Sequence, residues 1–152
     1  MNFRTVNKMK NKNSCYTYFR IVGKFEPDEI TERLGMKPYK IQRIGERITE
    51  KGPQKAKFAY WHYGLCNEYA SEVTKQMEKT IELLKCKIDI INQIRKEYDV
   101  GIFLEVVPTV YVNDAEPNLA PSLDVIDFCY DAGVEIDIDL YVMDNEDEYE
   151  EL

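Results

Sequence analysis

The acidic side chains near the carboxyl end of the chain have a spacing that suits metal binding or acid–base chemistry. Residues 134–142 alternate apolar and polar side chains, which predicts a strand with Glu135, Asp137 and Asp139 on one face, about 6.6 Å apart. Carboxylates spaced in this way could hold Mg²⁺ or Ca²⁺, or supply a general acid and a general base. The alternative is a solvated strand face whose acids pair with bases such as Arg20 on neighbouring strands.

The sequence lacks the motifs that would complete a familiar metal site. It has no D-x-D-x-D-G loop, no H-E-x-x-H pair and no second histidine. We therefore expect no bound metal and interpret the acids of the last strand as a solvated face. Asp124, Asp127 and Asp131 follow helical spacing, which is typical of the polar side of an amphipathic helix.

His62 is the only histidine, so a catalytic triad or a histidine base would have to use it. It lies in an aromatic strand segment, residues 58–63, where a structural role is the more common one. The four cysteines are widely spaced: Cys15, Cys66, Cys86 and Cys129. Without a C-x-x-C pair they predict neither a zinc knuckle nor a disulfide framework. We expect small buried thiols in a reducing cytoplasm.

Other catalytic and cofactor-binding motifs are missing from the sequence. Ser122 lacks the G-x-S-x-G elbow and suits a helix cap, and the glycines form no phosphate-binding loop. We therefore expect no cofactor and favour a protein that is not an enzyme. A basic segment interleaved with Tyr39, residues 37–47, could bind nucleic acid, but the sequence pI of about 4.8 disfavours phosphate.

Charge is divided sharply along the chain. Residues 1–96 hold all 20 basic and 11 of the 28 acidic residues, for a net charge of +9, and residues 97–152 hold 17 acids and no base. The total of −8 makes a basic protein the better partner. No apolar run reaches the roughly 20 residues of a membrane span.

Periodicity predicts a strand at residues 15–22, with Thr17, Phe19 and Ile21 on one face. Pro27 begins a short helix that Gly35 ends. Residues 37–47 form a loop or irregular strand, and residues 58–63 form an aromatic strand. Apolar steps of three or four then predict a helix over residues 69–98. Unbroken, it would span about 45 Å, longer than such a domain is wide, so we expect a break near residues 85–87.

The second half of the chain adds a strand at residues 102–107, which Pro108 interrupts or shifts to a sheet edge. Ser122 caps a helix over residues 123–131, and we expect it to turn Leu123, Ile126 and Tyr130 inward. In the last strand, residues 134–142, the apolar positions include Ile138, which we expect to face the helices.

These elements predict a two-layer α+β domain: a mixed, mainly antiparallel sheet with helices on one face. The first six elements have the order of a ferredoxin-like unit. We expect a flexible basic arm at residues 1–13, a single domain at residues 14–143 and a disordered acidic tail at residues 144–152.

Several segments resemble bacterial proteins grouped as domain-of-unknown-function family 4279. They are the opening strand, the helix and turn at residues 27–38, Arg43-Ile-Gly45, the strand around Trp61 and residues 132–141. The resemblance spans roughly residues 16–142 and brings no assigned activity. Some relatives resemble immunity proteins of bacterial toxin systems, which implies a protein partner but no particular functional residue.

If Phe19, Trp61 and Ile138 face the helices, the opposite face of the sheet combines tyrosines with mixed charges. Its predicted residues are Tyr16, Tyr18, Arg20, Tyr60, His62, Asp137, Asp139 and Tyr141. Such a surface is typical of protein interfaces, and we expect a protein-binding module. A third layer or a homodimer that buries this face is the alternative. A second hypothesis is a metal or small-molecule site built from Asp137, Asp139 and His62.

Overall fold

The protein is described by a computed structural model that covers residues 12–69 and 71–144. The six strands are β1 (Ser14–Gly23), β2 (Lys40–Gln42), β3 (Ala59–Cys66), β4 (Val100–Tyr111), β5 (Glu135–Ile138) and β6 (Tyr141–Met143). The helices are α1 (Pro27–Leu34), α2 (Val73–Ile81), α3 (Ile88–Glu97) and α4 (Leu123–Ala132), with a 3₁₀ turn at Lys85–Lys87. Residues 1–11 of the predicted arm and 145–152 of the predicted tail lie outside the described residues.

The strands form one mixed sheet in the order β2-β3-β1-β4-β5, and β6 also pairs with β4. Pairs among the first four strands are antiparallel, whereas β5 and β6 run parallel to β4. Helices α1, α2 and α3 contact the sheet, and α4 packs on α2 and α3. The predicted two-layer α+β class is therefore confirmed, including the ferredoxin-like strand order of its first part.

Alternation along β1 divides the two faces of the sheet as predicted. Phe19 and Ile21 are fully buried with Thr17, whereas Tyr16 and Tyr18 on the other face are exposed and half-buried. On β3, Trp61 is also fully buried, and its Nε1 donates a 3.0 Å hydrogen bond to Oγ1 of Thr31. One face of the sheet is therefore core, and the other is left open.

The predicted long helix begins later than expected and breaks where expected. Tyr69 lies in a turn, in which its carbonyl accepts from the amide of Glu72, and α2 begins at Val73. The 3₁₀ turn at Lys85–Lys87 separates α2 from α3. Two shorter helices fit the width of the sheet, which a helix of about 45 Å would exceed.

Pro108 neither interrupts β4 nor places it at an edge, contrary to the prediction. It pairs with Cys15 of β1 inside a continuous strand. The carbonyl of Val106 is directed toward the last strand, where it accepts from the amide of Asp139 at 2.9 Å. Two residues on, Pro108 directs a ring nitrogen without N–H to the same side. Without this donor, the hydrogen bonding of β4 to the last strand is interrupted between β5 and β6. Both strands nevertheless pair with β4 in the same register.

Helix α4 presents a different face to the core from the one predicted. Leu123, Ile126 and Tyr130 are exposed, Tyr130 by 87%. The core face is formed by Val125, Phe128, Cys129 and Ala132. These four occupy positions i, i+3, i+4 and i+7 without a charge, whereas the predicted face includes Asp127 at its i+4 position.

Ile138 lies on the helix side of the sheet, as expected, since it pairs with the buried Val106, but within the described part of the chain no helix covers it. It is 43% exposed, whereas Ile136, two residues earlier on the same side of β5, packs against the core. The α4 helix ends at Ala132, so the helical layer stops short of the end of the last strand. Alternation along a strand predicts which face of the sheet a side chain lies on. It does not predict whether a helix extends far enough to cover that side chain.

Candidate functional site on the open sheet face

All eight residues predicted for the open face lie on the side of the sheet opposite the helices. They alternate with core residues on β1 and β3, and with Ile136 and its successors on the last strand. His62, Arg20 and Phe103 stand side by side on β3, β1 and β4, with Lys40 of β2 beyond His62. A second row joins Tyr18 of β1, Glu105 of β4 and Asp137 of β5.

An aromatic cluster occupies the part of the open face built by β1, β2 and β3. His62 stacks on Tyr60 with ring centroids 4.4 Å apart and contacts Tyr18 at 4.8 Å. Tyr39, just before β2, meets Tyr18 edge-on at 6.0 Å, and Tyr16 is parallel to Tyr18 at 6.1 Å. Such pairs add stabilisation beyond their buried area and hold the rings in fixed positions.

The imidazole of His62 is enclosed by this cluster and is only 8% exposed. Its pKa is lowered to about 4, mainly by burial and in the same direction by the positive charges of Arg20 and Lys40. Among the described residues, its Nε2 has no hydrogen-bond partner. His62 is therefore neutral at pH 7, which fits the structural role expected for a lone histidine in an aromatic strand.

A charged centre lies beside the aromatic cluster. Nη1 of Arg20 donates a 2.9 Å hydrogen bond to Oε1 of Glu105, and the guanidinium lies 5.8 Å from the ring centroid of Phe103. Glu105 is 3% exposed, and burial raises its pKa more than Arg20 lowers it; Asp137 on the adjacent strand raises it further. Arg20 thus pairs with β4, and the acids of β5 lie one strand beyond.

Tyr141 and Asp139 form the far side of the open face. The hydroxyl of Tyr141 donates a 3.1 Å hydrogen bond to Oδ2 of Asp139, and this bond raises the pKa of Tyr141. Both residues are exposed, as is Asp137. The face therefore grades from an aromatic and basic half on β2, β3 and β1 to an acidic half on β4 and β5.

Two cavities indent the aromatic half. One has a volume of about 600 Å³ and is lined by Ser14, Cys15, Tyr16, Tyr18, Tyr39, Lys40, His62, Leu65 and Asn67. The other, of about 630 Å³, lies under the loop between β2 and β3 and is lined in part by Arg20, Val22, Tyr60 and Phe58. The aromatic half of the open face is thus uneven, with two cavities lined in part by its aromatic side chains.

The structure separates the residues of the hypothetical site built from Asp137, Asp139 and His62. Two strands, β1 and β4, lie between β3 and β5, so His62 stands three strand spacings, roughly 14 Å, from the carboxylates. Within residues 12–69 and 71–144, no group of three His, Cys, Asp or Glu side chains could hold a metal ion. One ion cannot bridge the histidine and these aspartates.

Sequence reasoning missed Glu105, Tyr39, Lys40 and Phe103 as members of this face. Glu105 had a usable signal, because it is the one acid in the apolar run of β4 and a buried acid requires a partner. Tyr39 and Lys40 had none, since their segment has no clear strand period. Lys40 lies 5.6 Å from the ring centroid of Tyr60, on the aromatic half.

Fold and site together define a two-layer α+β domain with an open, aromatic and charged sheet face. The chain belongs to the family described as Domain of unknown function (DUF4279), which matches residues 13–143. This confirms the resemblance carried by the opening strand, the first helix and the last strand. Neither the curated proteins nor the solved structures yield a match to the chain. In the described part of the chain, no helix is long and apolar enough to cross a membrane.

Proposed function

We propose that this protein is a protein-binding module and that the open sheet face is its binding surface. The observation that carries the proposal is the exposure of tyrosines on a rigid sheet: Tyr16, Tyr39 and Tyr141 are 42%, 45% and 49% exposed. Tyrosine supplies a large contact area with few rotatable bonds, together with a hydroxyl for hydrogen bonding. Exposed aromatic residues beside pockets are typical of the energetic centres of interfaces.

The charge gradient supports a partner with a basic surface. Glu135, Asp137 and Asp139 are exposed on the acidic half, and among the described residues none of the three takes part in a salt bridge. A partner with Lys or Arg opposite these acids is attracted and oriented, and one with acids there is repelled. The same acids disfavour nucleic acid as the ligand.

The biological setting is part of the proposal. A bacterial, cytoplasmic, immunity-like role, in which the partner is a toxin, is the specific form that the family resemblance supports. The thiols of Cys15, Cys66 and Cys129 are free and buried as expected, whereas Cys86 is free and exposed, contrary to the expectation; free thiols suit a reducing compartment. A toxin gene next to the gene of this protein would support this form, and a toxin neutralised by the purified protein would establish it.

Affinity capture with variants of the full chain tests the proposal. Tyr16→Ala/Tyr39→Ala/Tyr141→Ala removes exposed rings of the open face, and Tyr130→Ala removes an exposed ring on α4 as the matched control. We expect a protein that is retained by the wild type and by Tyr130→Ala, and lost or reduced at least about tenfold with the triple variant. If all three retain the same proteins in the same amounts, the open face is not the binding surface.

A carboxylate site for a cation or small molecule is the second candidate. The structure separates His62 from this site, but Glu105 and Asp137 are neighbours in register on β4 and β5, and this pair supports it. Calorimetric titration with Mg²⁺, Ca²⁺ and Mn²⁺ tests it: heat that disappears in Asp137→Asn supports the site, and no heat with no thermal shift removes it.

A further inference from the structure

The outer edge of the last strand is open along β5 and β6. On their inner side both strands pair with β4, and among the described residues no strand pairs with their outer side. Backbone N–H and C=O groups on such an edge are free to pair with another extended chain. Together β5 and β6 offer about 30 Å of edge at the usual rise per residue, with the interruption at residues 139–140 between them.

The helix-facing side of this edge is apolar and uncovered. Ile138, Leu140 and Val142 are 43%, 50% and 64% exposed. Natural edge strands are often protected by Lys or Pro, and neither occurs in residues 135–143. When a strand is added to a sheet, the unpaired backbone groups of the edge give affinity, and contacts with alternate side chains give specificity. This edge offers both.

The other side of the same edge is acidic, which favours a basic strand over a second copy of this chain. Glu135, Asp137 and Asp139 project toward the open face and are all exposed. If two copies of the chain paired along this edge, each would bring the same acids to one short interface, and the like charges would repel. An added strand with basic side chains on that side is attracted instead.

We propose that the β5–β6 edge binds an extended segment of a protein partner, in which basic residues alternate with apolar ones. The segment adds a strand to the sheet through backbone hydrogen bonds. Its Lys or Arg side chains face Glu135, Asp137 and Asp139, and its apolar side chains cover Ile138, Leu140 and Val142. This inference does not rest on the tyrosine surface, because the edge can be occupied without contact to Tyr16 or Tyr39.

A fluorescent eight-residue peptide of alternating Lys and Val, acetylated and amidated, is the probe for fluorescence anisotropy with the full chain. Three peptides serve as controls: alternating Glu and Val, a Lys block followed by a Val block, and the Lys–Val peptide N-methylated at every second amide. We expect saturable binding of the alternating Lys–Val peptide, weakened by salt. Binding of each control should be weaker by about tenfold or more.

Protein variants separate the edge from other surfaces. Leu140→Lys/Val142→Lys places bases on the apolar side, and we expect it to weaken binding of the Lys–Val peptide by about tenfold or more. Tyr130→Lys, at an exposed position on α4, is the matched control and should bind as the wild type does. Tyr16→Ala/Tyr39→Ala should also bind normally, which distinguishes this proposal from the function proposed above. Thermal unfolding verifies that each variant is folded.

The proposal is overturned if the Lys–Val peptide does not bind at millimolar concentration. It is also overturned if the block or N-methylated peptide binds equally well, or if Leu140→Lys/Val142→Lys has no effect. Sedimentation analysis tests whether a second copy of the chain binds the edge instead. A wild type that is dimeric, with a Leu140→Lys/Val142→Lys variant that is monomeric, would show this and overturn the proposal.

Discussion

The guanidinium of Arg20 reaches diagonally from β1 to Glu105 on β4, where Nη1 donates a 2.9 Å hydrogen bond to Oε1. The pair joins the basic and the acidic halves of the sequence inside one sheet. It also marks the boundary on the open face between the aromatic cluster around His62 and the acids of β5. Because the carboxylate is nearly fully buried, its charge depends on this one base.

Replacing Arg20 with Met should destabilise the protein, because Glu105 would remain buried without its partner. Loss of one member of a fully buried pair costs roughly 3–5 kcal/mol. Since the Arg20 side chain is 33% exposed, we expect about 2 kcal/mol at pH 7. Burial raises the pKa of Glu105, and the protonated carboxyl carries no buried charge. The loss should therefore shrink as the pH falls from 7 into the range where Glu105 is protonated. Urea unfolding at several pH values measures this.

The double variant Arg20→Met/Glu105→Leu is the control for this prediction. It removes both charges and should recover most of the stability lost in Arg20→Met. Equal loss in the single and double variants would mean that packing of the Arg20 stem, and not the unpaired carboxylate, determines the cost.

His62 should make folding stability depend on pH between about 4 and 6.5. Its pKa is about 4 in the folded protein and near 6.5 in an unfolded chain, so in this range the unfolded chain binds a proton that the folded protein does not. Stability should therefore fall as the pH falls from 6.5 to 4, by up to about 3 kcal/mol at roughly 1.4 kcal/mol per pKa unit. Chemical unfolding of wild type and His62→Phe across this range measures it.

The Phe variant keeps an aromatic ring against Tyr18 and Tyr60 but cannot titrate. Other groups, including Glu105, titrate in both proteins and cancel in the difference. Parallel stability curves for the two proteins between pH 4 and 7 would contradict the buried neutral imidazole.

Helix α4 offers a direct test of which face is buried. Phe128→Ala should cost about 3–5 kcal/mol, because the ring is removed from the core. Tyr130→Ala, two residues on, should change stability by no more than about 0.5 kcal/mol, because its side chain is 87% exposed. Comparing the thermal midpoints of the two variants measures this, and a reversed order would restore the face predicted from the sequence.

Buried hydrogen bonds connect α2 to the sheet, so Thr80→Val should lower the free energy of unfolding. Oγ1 of Thr80 donates to the carbonyl of Gly64 at 2.9 Å and lies 2.7 Å from Oγ1 of Thr17. Valine keeps the shape and leaves the carbonyl of Gly64 without this donor, so we expect a loss of about 1–3 kcal/mol. Denaturant titration measures it. Thr74→Val is the matched control: it removes a 2.7 Å hydrogen bond from Oγ1 of Thr74 to the carbonyl of Ala120 at an exposed site, where water can replace the donor, and it should cost distinctly less.

Elements with one strong pattern were predictable from the sequence. The strict alternation of β1 specified its buried face, and the length limit on a helix placed the break at Lys85–Lys87. Helix α4 was misjudged because apolar residues occur on both of its faces, so the large Tyr130 outweighed the uncharged set that contains Phe128. Pro108 was misjudged because its effect falls on a neighbouring strand, which local sequence does not identify.

The membership of the open face was predictable where alternation is regular, on β1, β3 and the last strand. The partners within it were not, because they depend on strand order. Arg20 pairs with Glu105 only because β4 lies next to β1, and the same order separates His62 from Asp137. Tyr39 reaches the cluster through a three-residue strand that carries too few residues to show a period.

The central claim, that the open sheet face binds another protein, is tested most directly by photo-crosslinking in the cells from which the gene comes. Tyr16, Tyr39, Tyr141 and, as the control, Tyr130 are each replaced in turn by p-benzoylphenylalanine. We expect the same partner protein to be crosslinked from the three positions on the open face and not from position 130. No adduct at the three positions, the same adducts at position 130, or only a covalent dimer of the chain itself would contradict the account.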